Sequence, residues 1–117
     1  MKDDGLLLIH IRECISRIER YAAAGAHSFL TDTLVQDAVL RNLQTLAESA
    51  TRLSPALKAT QPRVDWRGIA GLRNVVTHDY LGLQLDWIWQ TLIEDLPPLK
   101  KAVEEMLTSL PPAQPPE

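Results

Sequence analysis

Apolar residues return every three to four positions along most of this chain, and no stretch shows the alternation that a half-buried strand needs. That period restricts the fold to packed helices. Leu7, Ile11, Cys14, Ile15, Ile18 and Tyr21 share one stripe; Asp3 and Asp4 suit its start and Gly25 its end, which predicts a helix over 3–23. Thr31 or Asp32 can cap a second helix over 32–53. Its apolar face is wide, with Leu34, Ala38, Leu46, Ala50 and Leu53 flanked by Val35, Val39, Leu43 and Ala47. A connector with Pro55 and Pro62 follows and leaves room for a short turn at 55–59. Asp65 then reads as the cap of a third helix over 66–79, with Trp66 and Ile69 inward. Leu81-Gly82-Leu83 interrupts it. Leu85, Ile88, Trp89 and Leu92 predict a helix over 85–95. Pro97 and Pro98 suit a kink or a new first turn, so a fifth helix is expected over 98–109, with Leu99, Val103 and Met106 inward. The expected fold is all-α, a helical bundle over 1–110 with a disordered Pro-rich tail over 111–117.

At 117 residues and 45% hydrophobic composition, one domain can bury one core without disulfides or metal staples. The single cysteine, Cys14, excludes an intrachain disulfide and a Cys-rich zinc site, and its place on the first stripe predicts a buried thiol. The chain fits a reducing cytoplasm. No apolar run approaches the ~20 residues of a membrane span, and the acidic start with a short Leu6–Ile9 run does not suit a signal peptide. His27 is expected on the surface of a loop, and His10 lies at the edge of the first stripe. Trp87 and Trp89 suit base stacking or packing, with packing the commoner use of large aromatics. Gly68 and Gly71, three apart in a helix, suggest close approach by another helix, including one across a dimer.

The chemistry concentrates in Arg73-Asn74-Val75-Val76-Thr77-His78-Asp79-Tyr80. Arginine offers a fixed cation with forked donors for phosphate, and histidine moves protons near neutral pH. Together they point to phosphodiester chemistry that needs no metal. Asn74 and His78, four apart, share one helix face; Arg73, Thr77 and Tyr80 form a neighbouring stripe. Arg73 and His78 are five apart and therefore about 140° around the axis. One straight helix would not aim both at the same phosphate. Either the helix unwinds near His78, or a two-fold dimer brings two copies of the motif to one cleft. The net charge of -3 disfavours a broad nucleic-acid platform. Residues 41–78 nevertheless hold six basic residues (Arg41, Arg52, Lys58, Arg63, Arg67, Arg73) against Glu48 and Asp65, a local net of +4 around the motif. Arg41, Asn42, Arg67 and Thr77 are candidate supporting or RNA-binding residues.

The motif resembles the signature of the HepT-like branch of the HEPN superfamily: Arg, four residues, His, one residue, Tyr, with no departure here. The resemblance extends to Gln36-Asp37-Ala38-Val39-Leu40-Arg41-Asn42-Leu43, to Trp66–Asn74 and to Asp95-Leu96-Pro97-Pro98-Leu99. It implies a HEPN-type four- to five-helix up-down bundle forming a two-fold homodimer. It also implies the toxin of a type VII HepT/MntA toxin–antitoxin system, a metal-independent endoribonuclease acting on RNA, with tRNA a target for some members. Arg73, His78 and Asn74 would be the catalytic residues. Tyr80 would receive AMP from an MntA-like nucleotidyltransferase antitoxin. ATP and magnesium would serve that partner; for this chain no cofactor and no metal are expected. HEPN domains also serve as non-catalytic nucleotide- or substrate-binding subunits of nucleotidyltransferases, and the acidic overall charge fits that alternative.

Overall fold

The computed structural model describes residues 3–78 and 85–110, with the backbone alone for 74–78. Within them six helices follow one another: α1 (Asp4–Tyr21), α2 (Ala26–Thr31), α3 (Thr33–Thr51), α4 (Pro55–Ala59), α5 (Trp66–His78) and α6 (Leu85–Ser109). No strand occurs among the described residues. The four long helices make the expected all-α bundle.

Caps set the boundaries. The Asp3 carboxylate accepts from Leu6 N at 3.2 Å and opens α1; Asp32 accepts from Leu34 N at 2.9 Å and opens α3. Each satisfies an N–H that the helix itself leaves unpaired. Asp4 does more. Its two oxygens accept Ser54 N at 3.0 Å and Ser54 Oγ at 2.7 Å, so the start of α1 is tied to the residue that leads into α4. Ser54 Oγ in turn accepts from Leu57 N at 3.3 Å and caps α4.

The core follows the apolar stripes. Leu8, Ile11, Cys14, Ile15 and Ile18 of α1 are buried with Val39, Leu40, Leu43, Leu46, Ala47 and Ala50 of α3. α3 packs against α1 and also against α5, while α6 packs on α1 and α2. Two expected stripe members lie outside the core: Tyr21 is exposed, and Leu34, in the first turn of α3, stands 76% exposed. Cys14 is buried as expected, and burial pushes its thiol above the ordinary range, away from thiolate reactivity.

Three elements differ from the sequence expectation. The first predicted helix stops at Tyr21, and Gly25 ends nothing; with φ 101° it leads into α2, a short helix in place of the expected loop. α2 brings Phe29 into the core and keeps His27 exposed. The predicted break at Pro97 and Pro98 does not occur: α6 runs through both. The prolines are exposed, and Leu92, Leu96, Leu99, Val103 and Met106 keep one buried stripe in register past them. Burial along that stripe offsets the two missing N–H donors, whose cost is about 3 kcal/mol for an interior proline.

The predicted close approach at Gly68 and Gly71 is absent within the protomer. A side chain at Gly71 would meet nothing within 4 Å, and one at Gly68 would meet the Asp65 carboxylate, which is the cap of its own helix. The Pro-rich tail over 111–117 lies outside the described residues. No helix among the described residues is long and apolar enough to cross a membrane.

The packing distinguishes two leucines of α3. Leu46→Ala removes a fully buried side chain and should cost about 2–5 kcal/mol in urea unfolding. Leu34→Ala should stay within about 0.5 kcal/mol of the parent.

Candidate active site

α5 carries the motif, and its position is fixed from its N-terminal end. Asp65 Oδ1 accepts from Gly68 N at 2.9 Å, as the sequence predicts for a cap. The Trp66 indole N–H lies 3.1 Å from both Lys58 O and Gln61 O, anchoring the helix to the end of the connector. Ile69 and Leu72 are buried along the inner side of α5. Arg73 follows Leu72 directly. It is exposed, and its guanidinium has no partner among the described residues.

The backbone remains α-helical from Trp66 through His78. Of the two arrangements the sequence allows, unwinding ahead of His78 is therefore not the one adopted. Arg73 and His78 stay about 140° apart around the axis. By register, Arg67, Gly71, Asn74 and His78 run along one side of α5, at offsets of four, seven and eleven residues. The side chains of Asn74, Thr77 and His78 lie outside the described residues, as does all of Tyr80.

The other candidates separate. Arg67 is exposed on α5. Arg41 is exposed on α3, the helix against which α5 packs. Asn42 is half-buried, and its Nδ2 donates to Ala38 O at 2.9 Å, one turn back on its own helix. Thr45 does the same toward Arg41 O at 3.0 Å. Both polar groups thus satisfy backbone carbonyls of their own helix. His10, at the edge of the first stripe, pairs its Nδ1 with Ser49 Oγ at 3.1 Å, which gives the buried Ser49 hydroxyl a partner. Among the described residues no three His, Cys, Asp or Glu side chains converge as a metal site.

A cleft of about 230 Å³ lies beside the motif helix. Gly68, Ile69 and Leu72 of α5 form one wall, and Trp87, Thr91, Asp95 and Pro98 of α6 form the other, with Arg63 and Asp65 at one end. Sequence reasoning did not find it. Its lining residues come from two helices and the segment that precedes α5, so only the fold collects them. The structure also separates the two tryptophans. Trp89 packs on Phe29, with ring centroids 5.6 Å apart, whereas Trp87 is 48% exposed on the cleft.

Asp95 is electrostatically unfavourable where it stands. Partial burial, then the charges of Glu94 and Asp65, hold its carboxyl above the ordinary value of 3.8. A raised folded-state value means that its contribution to stability is present below the unfolded value and is lost as pH rises through the folded one. Asp95→Asn should therefore raise the melting temperature at pH 7, and the gain should vanish below about pH 3.5. Thermal unfolding across that range checks the sign. Arg73→Ala, which removes an exposed and unpartnered side chain, should change stability by no more than about 0.5 kcal/mol at neutral pH.

With this geometry in hand, the comparisons with known proteins agree on one family. Residues 11–106, from α1 to near the end of α6, match the family described as ribonuclease HepT-like. A protein named "Putative RNase TTE0752" from Caldanaerobacter subterraneus subsp. tengcongensis is 32% identical over 108 residues, covering 92% of this chain and 96% of that protein. "Probable ribonuclease HepT" from Thermococcus cleftensis is 32% identical over 97 residues, covering 82% of this chain and 88% of that protein. A Methanocaldococcus jannaschii protein named "Gamma-glutamylcyclotransferase and putative RNase MJ0434" is 28% identical over 110 residues; the alignment covers 93% of this chain and 50% of that longer protein. No solved structure matches the chain. The family match spans the capped α5, the helix it packs on and the motif that ends it, and the chain belongs to the ribonuclease HepT-like family of the HEPN superfamily.

Proposed function

We propose that this chain is a metal-independent endoribonuclease, the toxin of a two-component HepT/MntA-type system. The observation that carries the reading is the intact Arg73-x4-His78-x-Tyr80 motif at the end of a helix that stays continuous through His78, in a chain of this family. Six basic residues over 41–78 against two acidic ones supply a local attraction for phosphate in an otherwise acidic chain.

The chemistry follows from the residue types. The ribose 2′-oxygen attacks the adjacent phosphorus and loses its proton. The bond from phosphorus to the 5′-oxygen breaks, and that oxygen takes up a proton, leaving a 2′,3′-cyclic phosphate. His78 transfers one of these protons. Arg73 neutralises the extra charge on the phosphoryl oxygens in the transition state. Asn74, one turn from His78, orients the imidazole or the phosphate. Arg67 and Arg41 hold flanking phosphates, and Thr77 supports the site.

The continuous helix bears on assembly. With Arg73 and His78 about 140° apart on one rigid element, a single α5 addresses one phosphate poorly. A two-fold homodimer overcomes this by placing Arg73 of one subunit and His78 of the other in a shared cleft. Tyr80, two residues on from His78 in the motif, is the regulatory point. AMP transferred to its hydroxyl by an MntA-like antitoxin adds bulk and negative charge, which repels RNA phosphates and competes for Arg73. ATP and magnesium belong to that partner.

The test uses purified protein shown by mass to lack AMP, incubated with total RNA and tRNA in EDTA. Wild type should cleave and leave 2′,3′-cyclic ends. His78→Ala should be inactive, and Arg73→Ala should lose about 10²–10³-fold in rate, as expected for removing one transition-state charge donor. The alternative, a binding subunit without catalysis, predicts no cleavage by wild type and tight association with a nucleotidyltransferase.

A further inference from the structure

The cleft between α5 and α6 is not accounted for by the motif, and two independent features of it point the same way. One is Trp87. Its neighbour Trp89 is occupied by Phe29, but Trp87 remains 48% exposed at the cleft, which leaves a large aromatic surface free beside a helix that carries basic residues. An exposed indole next to cationic side chains is what an unstacked base needs.

The other feature is a surplus of hydrogen-bond acceptors. Asp95 accepts no hydrogen bond among the described residues. Thr91 gives its hydroxyl proton to Trp87 O at 3.0 Å, so it presents lone pairs to the cleft. Asp65 uses one oxygen on Gly68 N and keeps the other. The cationic donor among the lining residues is Arg63. An occupant suited to this lining brings two adjacent N–H donors for a carboxylate and an acceptor edge for a guanidinium. Of the four RNA bases only guanine offers N1–H beside N2–H₂ on one edge, with O6 and N7 as acceptors on the next. Adenine would set its N1 lone pair against Asp95, cytosine its N3, and uracil presents one donor between two carbonyls.

We infer that the cleft is a guanine-binding subsite for the RNA strand, in which the base stacks on Trp87, donates to Asp95 and accepts from Arg63. Because the base belongs to substrate RNA, the inference rests on the ribonuclease reading and adds a sequence preference to it. A cleft of about 230 Å³ admits one base. Leu72 in its wall precedes His78 by six residues, about 9 Å of helix rise, so the subsite takes the base of a nucleotide near the scissile phosphate rather than a remote one.

The experiment follows the three indole N–H resonances of ¹⁵N-labelled full-length protein during titration with GMP, AMP, CMP and UMP. The Trp87 resonance is identified by its loss in Trp87→Phe. GMP should shift Trp87 and leave Trp66 in place, at a half-saturation about tenfold below that of AMP, the size expected for one bidentate carboxylate contact. Asp95→Asn should weaken GMP about tenfold and leave AMP unchanged. Equal response to all four nucleotides, or response to none, overturns the inference. So does a Trp87 shift produced by N-acetylarginine amide and not by GMP, which would assign the cleft to a protein side chain. RNA cleavage measured in parallel separates the two readings. Binding of GMP without cleavage keeps the subsite and removes the nuclease. Cleavage with no preference for guanine and no response to GMP keeps the nuclease and removes the subsite.

Discussion

The seam between α1 and α3 is the constraint on which the other contacts depend. It buries two facing aliphatic stripes. Each such side chain contributes about 1.5–3 kcal/mol when fully withdrawn from water. Its register is not left to packing alone. Asp4 at the start of α1 holds both the backbone N–H and the hydroxyl of Ser54, just past the end of α3, and that hydroxyl caps α4. One carboxylate thus sets how α1 lies along α3 and where the connector to α5 begins. Because α3 has α1 on one side and α5 on the other, the placement of the motif helix inherits that register.

α5 is held along one side and at one end. Ile69 and Leu72 face inward, while the Asp65 cap and the Trp66 anchor fix where the helix starts. Its outer side is left to solvent, and Gly71 keeps that side low. A helix held this way keeps the backbone at Arg73 and His78 in a fixed relation, which would suit the proposed site, where a charged transition state is bound without reorganisation. The same helical register sets the two positions about 140° apart around the axis. The dimer proposed above therefore rests on helix geometry.

Much of this was legible in the sequence. The stripes from Leu7 to Ile18 and from Val35 to Ala50 predicted two helices; Asp65 marked the start of α5, and of the two caps open for α3, Thr31 and Asp32, it is the Asp32 carboxylate that accepts from the first turn. Pro97-Pro98 misled because the local cost of proline is visible in sequence, whereas the burial that outweighs it depends on α1 and α2 lying under the same stripe. α2 was missed for a similar reason. Six residues are too few to show a period, and Phe29 gains its burial from Trp89, sixty positions away. Arg73 was legible as chemistry. The cleft was not, since Asp65 lies far in sequence from Thr91 and Asp95 and meets them only in the fold.

The charge distribution gives the cleft and the motif a common logic. The chain as a whole repels polyanions, with a net charge of -3, yet the segment from α3 through α5 carries a local excess of cations. At physiological ionic strength a charge acts over about 8 Å, so a strand senses the local excess and not the total. Attraction is thereby local to that segment. On the proposed reading, the exposed arginines of α5 would meet phosphate, while Asp95 in the cleft would meet a base. Cations along α5 for the backbone and acceptors in the cleft for a base edge would, on that reading, divide the strand's chemistry between affinity and choice of sequence.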